Sequence, residues 1–237
     1  MRKSGLLVLA ALLAGCSQQL ETGTVGAPVP KNIIFLIGDG MGLSAVSASY
    51  YFQDQESQFS RFRHIGLQKT SSASHKITDS AASGTAMACG KKTYNGALGV
   101  DTLQQKVPNL VELVSRQDWS TGFVVSSSVT HATPAAFYAH VPSRSMEEDI
   151  AVQLLDSKID FFAGGGMMFF NQRADQKDLF SMASEKGFSI DTSSLAEPAS
   201  LDPGKKYGFV LASKGMPEAH LGRGSFLPEA TSLALQH

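Results

Sequence analysis

Two rhythms of apolar residues alternate along this chain. Ile33, Ile34, Phe35, Leu36 and Ile37 form an unbroken apolar run. It is too short for a typical helix and has the β-branching of a strand buried on both faces, so a strand is predicted there. Leu43 to Tyr51 follows as a predicted helix packed on the sheet. The mixed segment Phe59 to Thr70 is predicted to cover a sheet edge. Pro108 and Asn109 open a helix through Gln117, with Leu110, Val111, Leu113 and Val114 as its apolar stripe. Thr121 to Ser126 is a predicted strand, and Met146 to Ser157 a predicted helix. Ser145 and Glu148 have capping-box spacing at its start, and Ile150, Ala151, Leu154 and Leu155 form its buried stripe. Ile159 to Ala163 then reads as a strand ending in Gly164-Gly165-Gly166. Asp178 to Lys186 is helical, Tyr207 to Ala212 a strand, and Pro228 to Leu235 a helix opened by Pro and Glu. Strands alternating with helices predict an α/β fold, a largely parallel central sheet with helices on both faces. No internal repeat is visible and no linker divides 31–237, which reads as one domain.

The first 30 residues follow another logic. Arg2 and Lys3 precede an apolar run from Leu6 to Leu13, then Ala14-Gly15-Cys16. This pattern is a secretory signal, residues 1–15, too short to span a bilayer. Leu13-Ala14-Gly15-Cys16 resembles a bacterial lipoprotein cleavage box, with Cys16 as the acylated new N-terminus; a plain cleaved signal is the alternative. Ser17, where an inner-membrane retention signal would carry Asp, points to the outer membrane. Residues 16–30 read as a tether to a periplasmic, lipid-anchored domain. With Cys16 lipidated, Cys89 is the only other cysteine and no intrachain disulfide forms. The 237 residues carry 43% hydrophobic residues and a net charge of −1, enough for a core and no basic field for nucleic acid. An anionic ligand must be held by local groups or by metal.

Three stretches carry candidate chemistry. Gly38-Asp39-Gly40-Met41-Gly42 follows the first predicted strand, where ligands of open α/β sheets bind. A carboxylate there suits a metal ion, although Gly-Asp-Gly is also an ordinary tight turn. Thr78-Asp79-Ser80-Ala81-Ala82-Ser83-Gly84 places Ser80 near the first turn of a helix, where the dipole favours an alkoxide or phosphate. There Ser80 is a candidate nucleophile; the plain alternative is that Asp79 or Ser80 is only an N-cap. Thr130-His131-Ala132-Thr133-Pro134 lies just past a predicted strand, with His131 either a metal ligand or a structural residue. Arg144, before Ser145, has a guanidinium able to fork onto two phosphate oxygens. A carboxylate, a hydroxyl, an imidazole and a guanidinium near strand ends form an inventory for metal-assisted phosphoryl transfer.

Asn32 to Met41, Thr78 to Ala82, Lys92 to Asp101 and His131 to Arg144 together resemble the alkaline phosphatase family, in the family's order. The run Lys92-Thr93-Tyr94-Asn95-Gly96-Ala97-Leu98-Gly99-Val100-Asp101 is the most specific, though by itself it reads only as a loop. The resemblance implies phosphomonoester hydrolysis through a phosphoserine, with two zinc ions and one magnesium. It gives Ser80 as nucleophile and zinc ligand, Arg144 as phosphate clamp, and Asp79 as its orienting group. It gives Asp39 as a carboxylate shared by zinc and magnesium, and Thr133 as a magnesium ligand. His131 stands where family members carry Asp or His. A homodimer is the family's common assembly. The family draws its other zinc ligands from a later region, which implies that these 237 residues are a fragment inactive alone. His64, His75, His140, His220 and His237 match none of them. The alternatives are a non-catalytic phosphate-binding lipoprotein remnant and another enzyme of the superfamily, a phosphodiesterase or sulfatase. Sulfatases use a modified cysteine, against the serine here.

Overall fold

The computed structural model describes residues 30–237. The predicted signal peptide, Cys16 and all but Pro30 of the tether lie outside the described residues. The chain divides into two units after Gly38.

In the first unit the predicted strand does not form. Residues 32–38 carry no ladder, and Ile33 and Leu36 are 57% and 72% exposed. An apolar run reports a preference for burial; strand identity needs hydrogen-bonded neighbours, which the run itself does not specify.

The second unit, Asp39–His237, opens with α1 (Leu43–Tyr51) and α2 (Ser80–Cys89). Between them lie a 3-10 turn at Gln58–Arg61 and an irregular stretch in which Ile65 and Leu67 are almost wholly exposed. The predicted covering of a sheet edge by Phe59 to Thr70 is therefore not found. Next come α3 (Leu110–Val114), continued by a 3-10 turn to Gln117, then β1 (Gly122–Ser128) and α4 (Ala132–Ala135). The chain proceeds through α5 (Glu147–Asp156), β2 (Phe161–Gly165), α6 (Met168–Asn171) and α7 (Leu179–Glu185). It closes with β3 (Phe188–Asp191), β4 (Lys206–Val210) and α8 (Phe226–Gln236).

The four strands stand in the order β1-β2-β4-β3, every neighbouring pair parallel. Side chains alternate across β2, and the two faces meet different helices. Phe162 joins a core with Ile150 and Leu154 of α5 and Leu179 of α7. Phe161 and Ala163 join Phe226, Ala230 and Leu233 of α8. Both faces of the sheet are thus covered by helices, as predicted. Along β1, Val124 pairs with Ala163 but Ser128 pairs with Gly165, so the register shifts before the strand ends.

The caps separate a correct pattern from a false one. Asn109 accepts from the Glu112 N–H at 3.0 Å and donates its own N–H to the Glu112 carboxylate, a full capping box on α3. The Ser145–Glu148 box does not form. Helix α5 starts one residue later, with Met146 as N-cap and no side-chain cap bond. Ser145 Oγ meets Ser143 Oγ at 2.8 Å, and Glu148 accepts from the Ala174 N–H at 2.9 Å. Glu147, Glu148 and Asp149 in the first turn favour the positive end of the helix dipole instead.

Candidate active site

Asp39 lies on a turn in which Gly40 has φ +69°, a conformation that glycine adopts without strain. Its two carboxylate oxygens accept two different hydroxyls. Ser80 Oγ donates to Oδ1 at 3.0 Å, and Thr133 Oγ1 donates to Oδ2 at 2.9 Å. Those partners lie 41 and 94 residues along the chain, so the contact is tertiary rather than local.

Ser80 is the first residue of α2, and Asp79 is its N-cap. Small residues let α2 approach α4 closely: a Cβ on Gly84 would sit 3.0 Å from Ala136 Cβ. That approach sets Ser80 and Thr133 at one carboxylate. Asp79 does more than cap. Oδ1 accepts from the Ala82 N–H at 2.9 Å, while Oδ2 accepts from the Gly96 N–H at 3.0 Å and from Arg144 Nη1 at 3.3 Å. Burial pushes the Asp79 carboxyl up, but the Ala82 and Gly96 amides and the Arg144 guanidinium together hold it below the usual aspartate value. It is therefore an anion at neutral pH.

Arg144 is fixed from three sides. Its backbone N–H donates to Gly96 O at 2.7 Å, Nη1 reaches Asp79, and Nη2 donates to His131 Nε2 at 3.1 Å. His131 Nε2 must then be an acceptor, so the ring is neutral with its proton on Nδ1. Burial, and next the Arg144 charge, lower the His131 imidazole below its usual value, against the pull of Asp39 and Glu147. His131 is the N-cap residue of α4 and Thr133 its second residue.

The six predicted site residues of the described region fall in two adjoining groups: Ser80 and Thr133 on Asp39, and Asp79 and His131 on Arg144, the groups meeting where Asp79 precedes Ser80 and where His131 and Thr133 share α4. Two participants were not singled out as such. Gly96 binds Asp79 through its N–H and Arg144 through its carbonyl, and the bridge between Leu98 and Val141 ties the same loop to the Arg144 segment. Glu147 accepts from Thr130 Oγ1 at 2.7 Å and Ser128 Oγ at 3.4 Å, holding the turn that carries His131. Backbone groups leave no mark in residue type, and Glu147 reads in sequence as an ordinary acidic first turn. The loop histidine His140 is elsewhere, between Gly99 O at 2.7 Å and Glu112 Oε1 at 3.2 Å.

The geometry joins a serine hydroxyl at a helix N-terminus to a carboxylate that accepts its hydrogen bond, and braces a guanidinium on the neighbouring Asp79. The family model described as Alkaline phosphatase matches residues 30–216. "Alkaline phosphatase" of Escherichia coli (strain K12) is 33% identical over 237 aligned residues, covering 85% of this chain and 49% of that protein. "Alkaline phosphatase 4" of Bacillus subtilis (strain 168) is 37% identical over 182, covering 70% and 39%. The solved alkaline phosphatase of the Antarctic bacterium TAB5 superposes with a TM-score of 0.82 at 45% identity, over 84% of this chain and 58% of that one. A mutant of that enzyme is described with Mg bound. The chain spans about half or less of the length of these curated relatives.

Proposed function

The chain belongs to the alkaline phosphatase family, and from that premise we propose that its site hydrolyses phosphate monoesters through a phosphoserine on Ser80. The observation that carries the reading is the 3.0 Å hydrogen bond from Ser80 Oγ to Asp39, made across 41 residues of chain. Ser80 gives up its proton towards Asp39 as Oγ attacks phosphorus. The new Oγ–P bond forms as the bond to the leaving oxygen breaks in line, and the alcohol leaves with a proton from solvent. Water then attacks the phosphoserine, releasing phosphate and restoring the hydroxyl. Arg144 neutralises two non-bridging oxygens, and Asp79 with Gly96 holds the guanidinium in place. The positive end of α2 favours the same charge.

The donor set fits magnesium better than zinc. Asp39 and Thr133 are hard oxygen donors, and magnesium needs few protein ligands because it keeps its waters. Zinc takes three or four protein ligands, and beyond Asp39 and Ser80 the adjacent imidazole has its Nε2 engaged by Arg144. When bound, such cations supply charge that stabilises the entering and leaving oxygens. With so few zinc donors among the described residues, this chain alone is expected to turn over little or no substrate. The reading includes attachment to the periplasmic face of the outer membrane through Cys16.

The test is two measurements on the purified chain. Orthophosphate binding by calorimetry is expected in the wild type and lost in Arg144→Ala; binding indifferent to Arg144 would remove the basis for the clamp. An aryl phosphate assay, with and without added zinc and magnesium, addresses turnover. Activity that disappears in Ser80→Ala would overturn the expected inactivity and uphold the nucleophile.

A further inference from the structure

Helix α2 buries Ala81, Ala82, Gly84, Thr85 and Ala88. Thr85 alone among them brings a polar side-chain atom into the interior, and it is wholly buried. A threonine inside a helix commonly returns its hydroxyl to a carbonyl of its own preceding turn. Thr85 instead spends its hydroxyl on another part of the chain. Oγ1 donates to Ala97 O at 3.1 Å and accepts from the Gly99 N–H at 3.1 Å.

Those two bonds fasten the loop that contains Gly96. The Gly96 N–H holds Asp79, and its carbonyl holds the backbone of Arg144. The loop is thus tied to α2 at two levels: at Asp79, and at Thr85, six residues and about 9 Å further along the helix axis. One attachment is a pivot; two fix an orientation. On the other side of the loop, Leu98 and Val141 exchange backbone bonds at 3.0 and 2.9 Å, and Val141 lies three residues before Arg144. Ala97 and Leu98 are fully buried between these attachments. A loop released from Thr85 would turn about Asp79 and carry the Gly96 N–H and C=O with it.

We propose that Thr85 is a positioning residue for the phosphate clamp, its hydroxyl setting the angle at which Gly96 holds Asp79 and Arg144. The inference rests on the phosphatase reading for the task of Arg144. It adds a residue that touches neither the phosphate nor the guanidinium and acts through the loop between them.

Thr85→Val keeps the shape and removes the hydroxyl; Thr85→Ser keeps the hydroxyl. Amide NMR of the ligand-free full chain reads the brace without turnover, because a hydrogen bond to a carboxylate moves an N–H signal downfield. In the Val variant the Gly96 signal is expected to move upfield and its hydrogen exchange to quicken about tenfold. Orthophosphate affinity by calorimetry should fall about tenfold, as for a weakened guanidinium fork. The Ser variant should match the wild type in all three. A Val variant that is less stable but keeps the wild-type Gly96 signal and phosphate affinity would overturn the proposal, as would a Ser variant that behaves like Val. Should Val not fold, the wild type decides: saturating orthophosphate should slow exchange at Gly96 and Gly99 together, and protection of Gly96 alone would overturn the coupling. Orthophosphate affinity unchanged in Arg144→Ala would instead strike the phosphatase reading, and a Gly96 signal displaced in Thr85→Val would still uphold the brace.

Discussion

Replacing Asp79 separates a helix cap from a brace. In Asp79→Ala, α2 loses its N-cap, which costs about 1 kcal/mol. The Gly96 N–H loses its acceptor, costing about 1–2 kcal/mol where water cannot replace it. The Arg144 pair, at 3.3 Å and with side chains 33% and 25% exposed, adds less than about 1 kcal/mol. The sum is about 3 kcal/mol, or about 6–12 °C in Tm for a domain of this size. Asp79→Asn is the sharper probe. Its Oδ1 can still accept from Ala82, so a residue that only caps would tolerate the change. The amide nitrogen, however, would face two donors, the Gly96 N–H and Arg144 Nη1. The Asn variant should therefore lose about 2 kcal/mol and should weaken orthophosphate binding through a displaced Arg144. Urea unfolding followed by circular dichroism measures the first effect and calorimetry the second. An Asn variant within about 0.5 kcal/mol of wild type, with phosphate affinity unchanged, would refute the brace.

Gly99 has φ +59°, and a Cβ there would lie 2.2 Å from Ala139 O and 2.6 Å from His140 Nδ1. Gly99→Ala should cost about 3 kcal/mol or more by urea unfolding, and a loss below about 1 kcal/mol would contradict the packing. Burial raises the Glu112 carboxyl, but Lys106, the Asn109 N–H and the His140 charge bring it below its ordinary value. The unfolded chain then takes up the proton first, so this contribution is present above about pH 4.3 and lost as pH falls through the folded value. Glu112→Gln should flatten the acid limb of stability against pH, and an unaltered slope would dismiss the linkage. Burial, with a smaller push from Glu112, raises the Cys89 thiol to about 11. In a Cys16→Ser background, alkylation at pH 8 should run about two orders of magnitude slower in the native chain than in denaturant. Equal rates would place Cys89 in a different environment.

What the sequence disclosed follows from how strongly each feature depends on residue type. Helix α2 was legible because Asp79 is a good cap and Ala81, Ala82 and Gly84 are small; the site turn was legible because His131 and Thr133 follow a strand. The brace at Gly96 was not, since its work is done by a backbone N–H and C=O that almost any residue would offer. Ile33 to Ile37 was over-read because apolarity specifies burial and leaves the partner open. Ser145 with Glu148 has capping-box spacing, yet a helix starting one residue later satisfies Glu148 through Ala174. Strand β3, Phe188–Asp191, has only four residues, too few for an alternation to stand out.

The offset near the end of β1 has one further consequence. From Val124 to Ser128 that strand advances four residues while its neighbour advances two, from Ala163 to Gly165. This slack uncouples the length of the chain feeding His131 from the phase of the pairing at Gly122 to Val124. A residue gained or lost inside the offset leaves the inner and outer sides of the sheet where they are. Descendants of this sequence can therefore lengthen or shorten the chain that feeds the histidine turn without refashioning the platform it leaves.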